Sequence, residues 1–354
     1  MFINLQCPIN TLSYGYTGLN FLKNLIALNS KVAYFPIGQV EVDSIDGPLV
    51  QESFNLGRLF PEEFHYAPSL RIYHQFSMAE SIGNGKRFGF PIFELDNFNK
   101  YEVNHLKSLG NHSIIVPSQW AAQVIEEKIG VHAHVVPLGY DPSIFINKKE
   151  SNNTFVFLNI GKWELRKGHD FLIQAFENAF EPSDRVELWM ACHNPFLSED
   201  DNKRWAEYYT QGKLGGKVRI FPRFHSQAAL ASVMAQADCG IFPSRAEGWN
   251  LPALEMMGMS KEIIITNYSA HTEFCNDDNS HLLSIDEYES AYDGIWFHNQ
   301  GNWASLNDKV MEQCVNSMRK VVKREDIKGD VAREFSKQFT WYESAKKLIN
   351  VMEI

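Results

Sequence analysis

The stretch "PSRAEGWNLPALE", Pro243 to Glu255, decides how the rest of the chain is read. It follows the apolar run "CGIFPS", which ends a buried strand near Phe242, and it leads into "PALEMMGM", which has helical spacing. Pro252 stands where a helix begins, because the missing proline N–H would have no partner in a first turn. Gly248 permits close backbone approach, and the amides around Trp249, Asn250 and Leu251 face outward from the helix start, an arrangement that favours an anion. A diphosphate is the natural anion there, since open α/β sheets bind ligands beyond the carboxyl ends of their strands. Glu247 in the loop and Glu255 on the helix can each accept a pair of hydrogen bonds from vicinal hydroxyls. The same pattern also fits a plain helix start with acidic residues nearby, which the helix dipole favours.

A second cluster lies upstream in "NIGKWELRKGHDFLIQAF", Asn159 to Phe176. An apolar strand runs into Gly161; Lys162, Arg166 and Lys167 then crowd together before Gly168 and a helix. Alone, three cations read as a solvated basic loop. Paired with an acidic, glycine-containing loop at the end of a later strand, they read as a site for a departing diphosphate.

Outward from these two clusters the grammar is uniform. "KVAYFPI" from Lys31, "LRIYHQF" from Leu70, "FPIFEL" from Phe90, "SIIVPS" from Ser113 and "AHVVPLG" from Ala133 read as buried strands, with "LNFLKNLIALN" and "QWAAQVIEEKIG" as helices between them. Gly130 stops the second helix. "YDPSIFINKKESNNTF", with Pro142 and a charged cluster, reads as a linker. A second strand–helix series then runs from "FVFLNIGKW" through "RVELWMAC" and "KVRIFPRF" to "KEIIITN". The chain therefore divides into a first α/β domain over residues 1–145 and a second over 151–337. A final amphipathic helix, 338–354, with Trp341, Ala345, Leu348 and Ile349 on one face, joins the first domain.

Composition narrows the function classes. The 354 residues are 44% hydrophobic and 21% charged, ordinary globular values, and the net charge of −10 disfavours a general nucleic-acid or anionic-membrane binder. No apolar run approaches the roughly 18 residues of a membrane span, and no secretory leader is evident, so a cytoplasmic protein is expected. Five scattered cysteines without a Cys-x-x-Cys pair fit neither a disulfide framework nor a structural zinc site. "EDD", Glu199 to Asp201, reads as a solvated polar loop rather than a metal ligand set, so no metal site and no cofactor are expected.

Together the two clusters resemble the retaining GT-B glycosyltransferases, particularly their family 4 group. The hallmark there is Glu-x7-Glu within Pro-Ser-x-x-Glu-Gly-x-x-x-Pro-x-x-Glu, matched by "PSRAEGWNLPALE"; its companion, Gly-Arg-x-x-x-x-Lys-Gly, is matched by "GKWELRKG". "VPSQW", "VVPLGYDPSIF" and "FTWYESA" are similar to other signatures of the group. The resemblance implies a GT-B fold, two Rossmann-like domains facing across a cleft, and transfer of a sugar from a nucleotide-sugar (UDP first, GDP second) to an acceptor hydroxyl without a metal. It implies that Glu247 binds donor-sugar hydroxyls and Glu255 the ribose. Lys162 and Lys167, with Gly161 and Arg166 in the same loop, would neutralise the diphosphate, and amides near Asn250 and Leu251 would complete the anion site. "GYTG", Gly15 to Gly18, resembles the glycine loop that approaches the phosphates from the first domain.

Departures from the pattern are informative. Lys162 stands where Arg is common, which keeps the charge and loses the bidentate fork. Trp249 and Asn250 replace Phe-Gly, and a tryptophan there would narrow the sugar pocket. The strand that commonly supplies a histidine reads "FELDNF", which puts Glu94 or Asp96 near the reacting carbon, with His74 at an earlier strand end. The acceptor stays open among a glycan, a small molecule, a protein and a modified base. A sugar-nucleotide epimerase and a non-catalytic scaffold remain as alternatives.

Overall fold

The computed structural model describes residues 1–147 and 153–353, so part of the expected linker (148–152) lies outside the described residues. The chain divides into two compact units: Met1–Gly139 with the segment from Phe339 onward, and Tyr140–Gln338.

The first unit holds a six-stranded parallel sheet of β1 (Phe2–Cys7), β2 (Lys31–Pro36), β3 (Ser69–Tyr73), β4 (Arg87–Pro91), β5 (Ile114–Val116) and β6 (Ala133–Val135), in the order β2-β1-β3-β4-β5-β6. Its helices are α1 (Ser13–Ala27), α2 (Gly47–Leu59), α3 (Glu62–His65), α4 (Lys100–Lys107) and α5 (Gln119–Ile129). Parallel strands bury both faces, which is why β2 (Val32 to Phe35) and β5 read as continuous apolar runs. Helix α5 is capped as its sequence suggests: Ser118 accepts the Ala121 amide, and Gly130 ends it at φ 78°.

The second unit repeats the plan with β7 (Phe155–Ile160), β8 (Val186–Ala191), β9 (Val218–Ile220), β10 (Cys239–Phe242), β11 (Glu262–Thr266) and β12 (His281–Leu283), in the order β12-β11-β10-β7-β8-β9. Around this sheet lie α6 (His169–Ala179), α7 (Glu199–Thr210), α8 (Gln227–Gln236), α9 (Leu251–Gly258), α10 (Asp308–Val322) and α11 (Gly329–Ser336). An antiparallel hairpin, β13 (Tyr288–Tyr292) with β14 (His298–Ala304), is added. Phe157, Phe176, Leu188 and Ile241 are core residues at 0% exposure, with Met318 and Cys314 of α10 packed in the same cluster.

The last helix, α12 (Trp341–Met352), belongs to the first unit. Trp341 sets its ring edge-on to Tyr16 and Phe21 of α1, with centroids 6.0 and 5.7 Å apart. Ala345 and Leu348 are buried on the same face and Ile349 is half-buried. The chain passes close at Gly139, where a Cβ would lie 2.2 Å from the Thr340 carbonyl carbon. The boundary falls at 139/140, earlier than 145, because the Tyr140 ring covers Gly258 and its hydroxyl accepts from Ser336 Oγ at 3.3 Å.

Three local readings are corrected. "EDD" is the first turn of α7, capped by Ser198, where acidic side chains meet the positive helix end. "GYTG" lies inside α1 rather than in a loop; a Cβ on Gly15 would sit 2.3 Å from the Asn10 amide nitrogen, and one on Gly18 2.4 Å from the Pro8 carbonyl. These glycines let the helix press onto the turn that leaves β1. The strand read in "FPIFEL" stops at Pro91, and the Ile92 carbonyl instead accepts the Tyr14 hydroxyl at 2.5 Å. Helices α2, α3, α4, α7, α10 and α11, strand β12 and the hairpin had no counterpart in the sequence reading.

Candidate functional site

In the second sheet, β7, β8 and β9 run to one side and β10, β11 and β12 to the other, so the strand order reverses between β7 and β10. Loops leaving the carboxyl ends of two such strands form the natural ligand crevice of an open α/β sheet. The loop after β7 carries Gly161 to Gly168, and the loop after β10 carries Pro243 to Asn250. Adjacency of β7 and β10 thus brings together two motifs far apart in the chain.

They meet as a ladder of alternating charge. Lys162 Nζ lies 3.1 Å from Glu164 Oε1, and Arg166 Nη2 donates to Glu164 Oε2 at 2.7 Å. Arg166 Nη1 donates to Glu247 Oε2 at 2.8 Å, and Lys167 Nζ to Glu247 Oε1 at 2.7 Å. Ser244 Oγ adds a bond to Glu247 Oε1 at 2.9 Å. Three cations against two carboxylates leave the ladder one positive charge in excess. Burial alone would raise the Glu247 pKa, but Lys167 and Arg166 overcome it and hold the carboxyl far below the usual range. Glu164 is likewise held down by Arg166 and Lys162 against its burial.

Arg166 is buried and spans both carboxylates and the Ala246 carbonyl at 2.8 Å. It therefore positions Glu247, whereas the sequence reading placed it on the phosphates. Lys167 and Lys162 are the more accessible cations. Lys162 also lies over the Phe196 ring at 5.0 Å. A Cβ on Gly161 would sit 3.1 Å from Lys167 Cδ, so the glycine gives the lysine stem its bed.

Buried polar groups lock the two loops. Asn159 Nδ2 donates to the Ile241 carbonyl at 2.6 Å, tying β7 to β10, and its Oδ1 accepts from His169 Nε2 at 3.0 Å. His169 Nδ1 accepts the Glu164 amide, so the ring is neutral, and burial takes its pKa down to about 3. Arg245 reaches the Leu165 carbonyl at 2.6 Å and grips Asp170 with both terminal nitrogens. Sequence reasoning missed Glu164, His169, Ser244, Arg245 and His271, because their types are common and only the fold brings them onto these loops.

Gly168 sits at φ 72°, and a Cβ there would meet the Pro243 carbonyl oxygen at 2.1 Å. Gly168→Ala is accordingly expected to lose at least about 2 kcal/mol in chemical denaturation, from left-handed strain plus the clash. A loss below about 0.5 kcal/mol, the scale of an ordinary surface change, would contradict this packing.

The start of α9 leaves several amides without acceptors among the described residues. Asn250 adopts φ 90° and ψ 69°, a left-handed backbone that asparagine tolerates better than most residues. Its Oδ1 accepts the Ala253 amide at 3.3 Å, and its Nδ2 lies 2.9 Å from His271 Nε2. His271 Nδ1 in turn donates to the Thr266 carbonyl at 3.0 Å; burial lowers its pKa to about 4, which keeps the ring neutral. Pro252 has no amide, and among the described residues the amides of Gly248, Asn250 and Leu251 find no acceptor. Glu255 is buried on α9, and its carboxyl has no partner among the described residues. Burial raises its pKa to about 8. Trp249 is buried with its ring 5.0 Å from Phe274.

Beside Glu164 and Leu165 opens a cavity of about 470 Å³, walled by Trp163, Trp205, Tyr208 and Trp296. Trp163 and Trp205 lie parallel, with centroids 5.7 Å apart.

Residues 154–295 match the family model described as Glycosyl transferases group 1. The match is a likeness to that family over less than half of the chain. An uncharacterized glycosyltransferase of Methanocaldococcus jannaschii is 26% identical over 232 residues, 64% of this chain and 55% of that protein. The chain spans about half the length of the curated relatives it matches. Sucrose-phosphate synthase from Thermosynechococcus elongatus has a similar structure, with TM-score 0.72 at 12% identity over 100% of this chain and 98% of that one. Anabaena HepE in complex with UDP-glucose gives TM-score 0.68 at 16% identity over 100% and 99%. At such identities the likeness establishes the fold: two parallel-sheet Rossmann-like units, matching GT-B glycosyltransferase structures. The matched stretch contains both site loops, from Gly161 to Glu255.

Five of the residues singled out in sequence lie in the first unit, whose strand order reverses between β1 and β3. His74 follows β3 and stacks on Phe76 at 5.0 Å, with Tyr14 of α1 at 4.6 Å. Asp96 is half-buried in the loop after β4, and Glu94 acts on the buried Tyr14 hydroxyl, whose pKa burial and that carboxylate raise. Gly15 and Gly18 serve helix packing. No helix among the described residues is long and apolar enough to cross a membrane, and all five cysteines are free and buried.

Proposed function

We propose that this chain is a retaining, metal-independent glycosyltransferase of the family 4 type, which uses a UDP-sugar in preference to a GDP-sugar and works in the cytoplasm. The observation that carries the reading is the start of α9: a buried Glu255 and three amides that have no partner among the described residues, at a switch point that also holds Lys167. A nucleoside diphosphate meets each of these groups. Its ribose hydroxyls donate to Glu255, and its phosphates take the amides and Lys167.

In the reaction, the acceptor oxygen forms a bond to the anomeric carbon while the bond from that carbon to the β-phosphate oxygen breaks. The electron pair stays on the departing diphosphate, and the acceptor proton passes to that oxygen on the same face of the sugar. Lys167 leaves Glu247 to meet the growing charge, and Glu247, still held by Arg166, is freed to accept donor-sugar hydroxyls. Lys162 is the next nearest cation. The positive excess of the ladder supplies the charge that a metal gives in other transferases, so activity in the presence of a chelator is expected. The UDP-glucose complex of HepE supports a uridine donor. The acceptor hydroxyl belongs to a glycan, small molecule, protein or modified base.

A thermal-shift panel of UDP-, GDP- and ADP-sugars tests the donor site. Stabilisation by one nucleotide-sugar, lost in both Glu255→Ala and Lys167→Ala, is the expected result. Failure of every donor to shift the folded protein would favour a non-catalytic scaffold, and a donor isomerised without transfer would favour an epimerase.

A further inference from the structure

We propose that His112, His132 and His134 form a three-histidine site for a first-row divalent cation of the zinc type, at the amino ends of β5 and β6 in the first unit. One ring nitrogen from each of the three lies within 4.8 Å of the others, and the ring centroids are 5.3, 5.9 and 5.0 Å apart. His132 and His134 are two apart along the edge strand, so they project from the same face. His112 lies in the turn two residues before the neighbouring strand, at φ 59°. Zinc binds imidazole at about 2.0–2.1 Å, so nitrogens around one ion stand roughly 3.4 Å apart. Small rotations close that gap, since the His112 and His132 side chains are exposed.

A separate set of contacts orients the rings as metal ligands are oriented. Glu126 Oε1 lies 2.9 Å from His132 Nδ1, which makes that nitrogen the donor and leaves Nε2 as the ligand atom. The His132 amide donates to Asn111 Oδ1 at 3.0 Å, fixing the strand to the loop that carries His112. Burial, followed by His132, His112 and Lys86, lowers the His134 pKa and keeps it in the neutral form that binds metal. Lys86 opposes a cation and Glu126 favours one. Three neutral imidazoles suit zinc, nickel, cobalt or copper rather than magnesium or calcium, and they leave a fourth tetrahedral position for water. The ion would pin β6, the edge strand of the sheet, to the loop before β5 and, through Glu126, to α5. The site lies at the amino ends of its strands, away from the carboxyl ends where open α/β sheets bind ligands, so its role is to stiffen the fold.

Zinc chloride titrated into chelator-treated protein by calorimetry tests the proposal. One ion per chain is expected, together with a raised melting temperature and, with cobalt(II), visible absorption of a four-coordinate ion. His134→Ala and the triple alanine variant should weaken binding at least about 100-fold, and Glu126→Gln about 10-fold. Should a histidine variant fail to fold, the Glu126→Gln result decides, since the substitution preserves shape. Zinc binding unchanged in Glu126→Gln and in the triple variant, or no binding by the wild-type protein, would overturn the site. Nucleotide-sugar binding is measured separately and stands or falls independently.

Discussion

Lys167→Met should lower kcat/KM for sugar transfer by about 10²- to 10³-fold while leaving a folded protein. That magnitude is typical of removing one preorganised group that meets charge developing on a leaving oxygen. Methionine keeps most of the stem over Gly161 and deletes only the ammonium, so the loss is electrostatic. In the free protein Lys167 is bonded to Glu247 at 2.7 Å, and Arg166 remains on the other carboxylate oxygen in the variant. Glu247 therefore stays ionised, and the fold keeps the core of its ladder. Lys162→Met removes a charge that is farther along the ladder and already neutralised by Glu164, so its loss should be distinctly smaller. Steady-state kinetics with the donor that the thermal panel selects would check both. Equal, small losses in the two variants would mean that the diphosphate does not sit on Lys167.

The parts of the site that sequence made legible are those written in local chemistry. Gly161, Gly168 and Pro252 punctuate strand ends and helix starts, and the charged residues between them have no business in a core. Their meeting was legible only by resemblance, because it depends on β7 lying beside β10, a consequence of the crossover and not of anything between residues 168 and 243. Arg166 shows the limit of counting charges: the sequence gives three equivalent cations, and packing turns one of them inward as a brace. Gly15 and Gly18 fail in the opposite sense. Local propensity disfavours glycine in a helix, yet close approach to Pro8 and Asn10 requires it, so a tertiary contact overrides the loop reading. "EDD" was read as a loop because α7 has few apolar residues to reveal its period; Tyr209 and Asn202 are its buried members. The three histidines were invisible as a group, since α5 separates His112 from the other two and only strand pairing unites them.

Binding of the nucleotide should release close to one proton near pH 7, through Glu255. Below about pH 4.5, the ordinary value, this side chain is protonated in both the folded and the unfolded chain. Between there and about pH 8 the unfolded chain ionises while the folded chain does not, so Glu255 lowers stability progressively as pH rises, and the deficit is complete above about pH 8. Glu255→Gln should remove this deficit and stabilise the free protein by up to about 3 kcal/mol at pH 7, with no gain near pH 4. The gain identifies the carboxyl as a group held at the expense of the fold. Ribose hydroxyls that donate to it favour the ionised form and bring its pKa down, which expels the proton. Calorimetry in two buffers of different ionisation enthalpy reads that proton directly. The Glu255→Gln variant should bind more weakly and release none, and a 2′,3′-dideoxy nucleotide should release none from the wild-type protein. Binding without proton release, in a protein whose stability the Gln variant does not raise, would remove Glu255 from the ribose. A proton released only when both carboxyl and hydroxyls are present would place the ribose on α9, because no other buried acid in the two loops is protonated at neutral pH: Lys167 and Arg166 hold Glu247 ionised, and Arg166 and Lys162 hold Glu164.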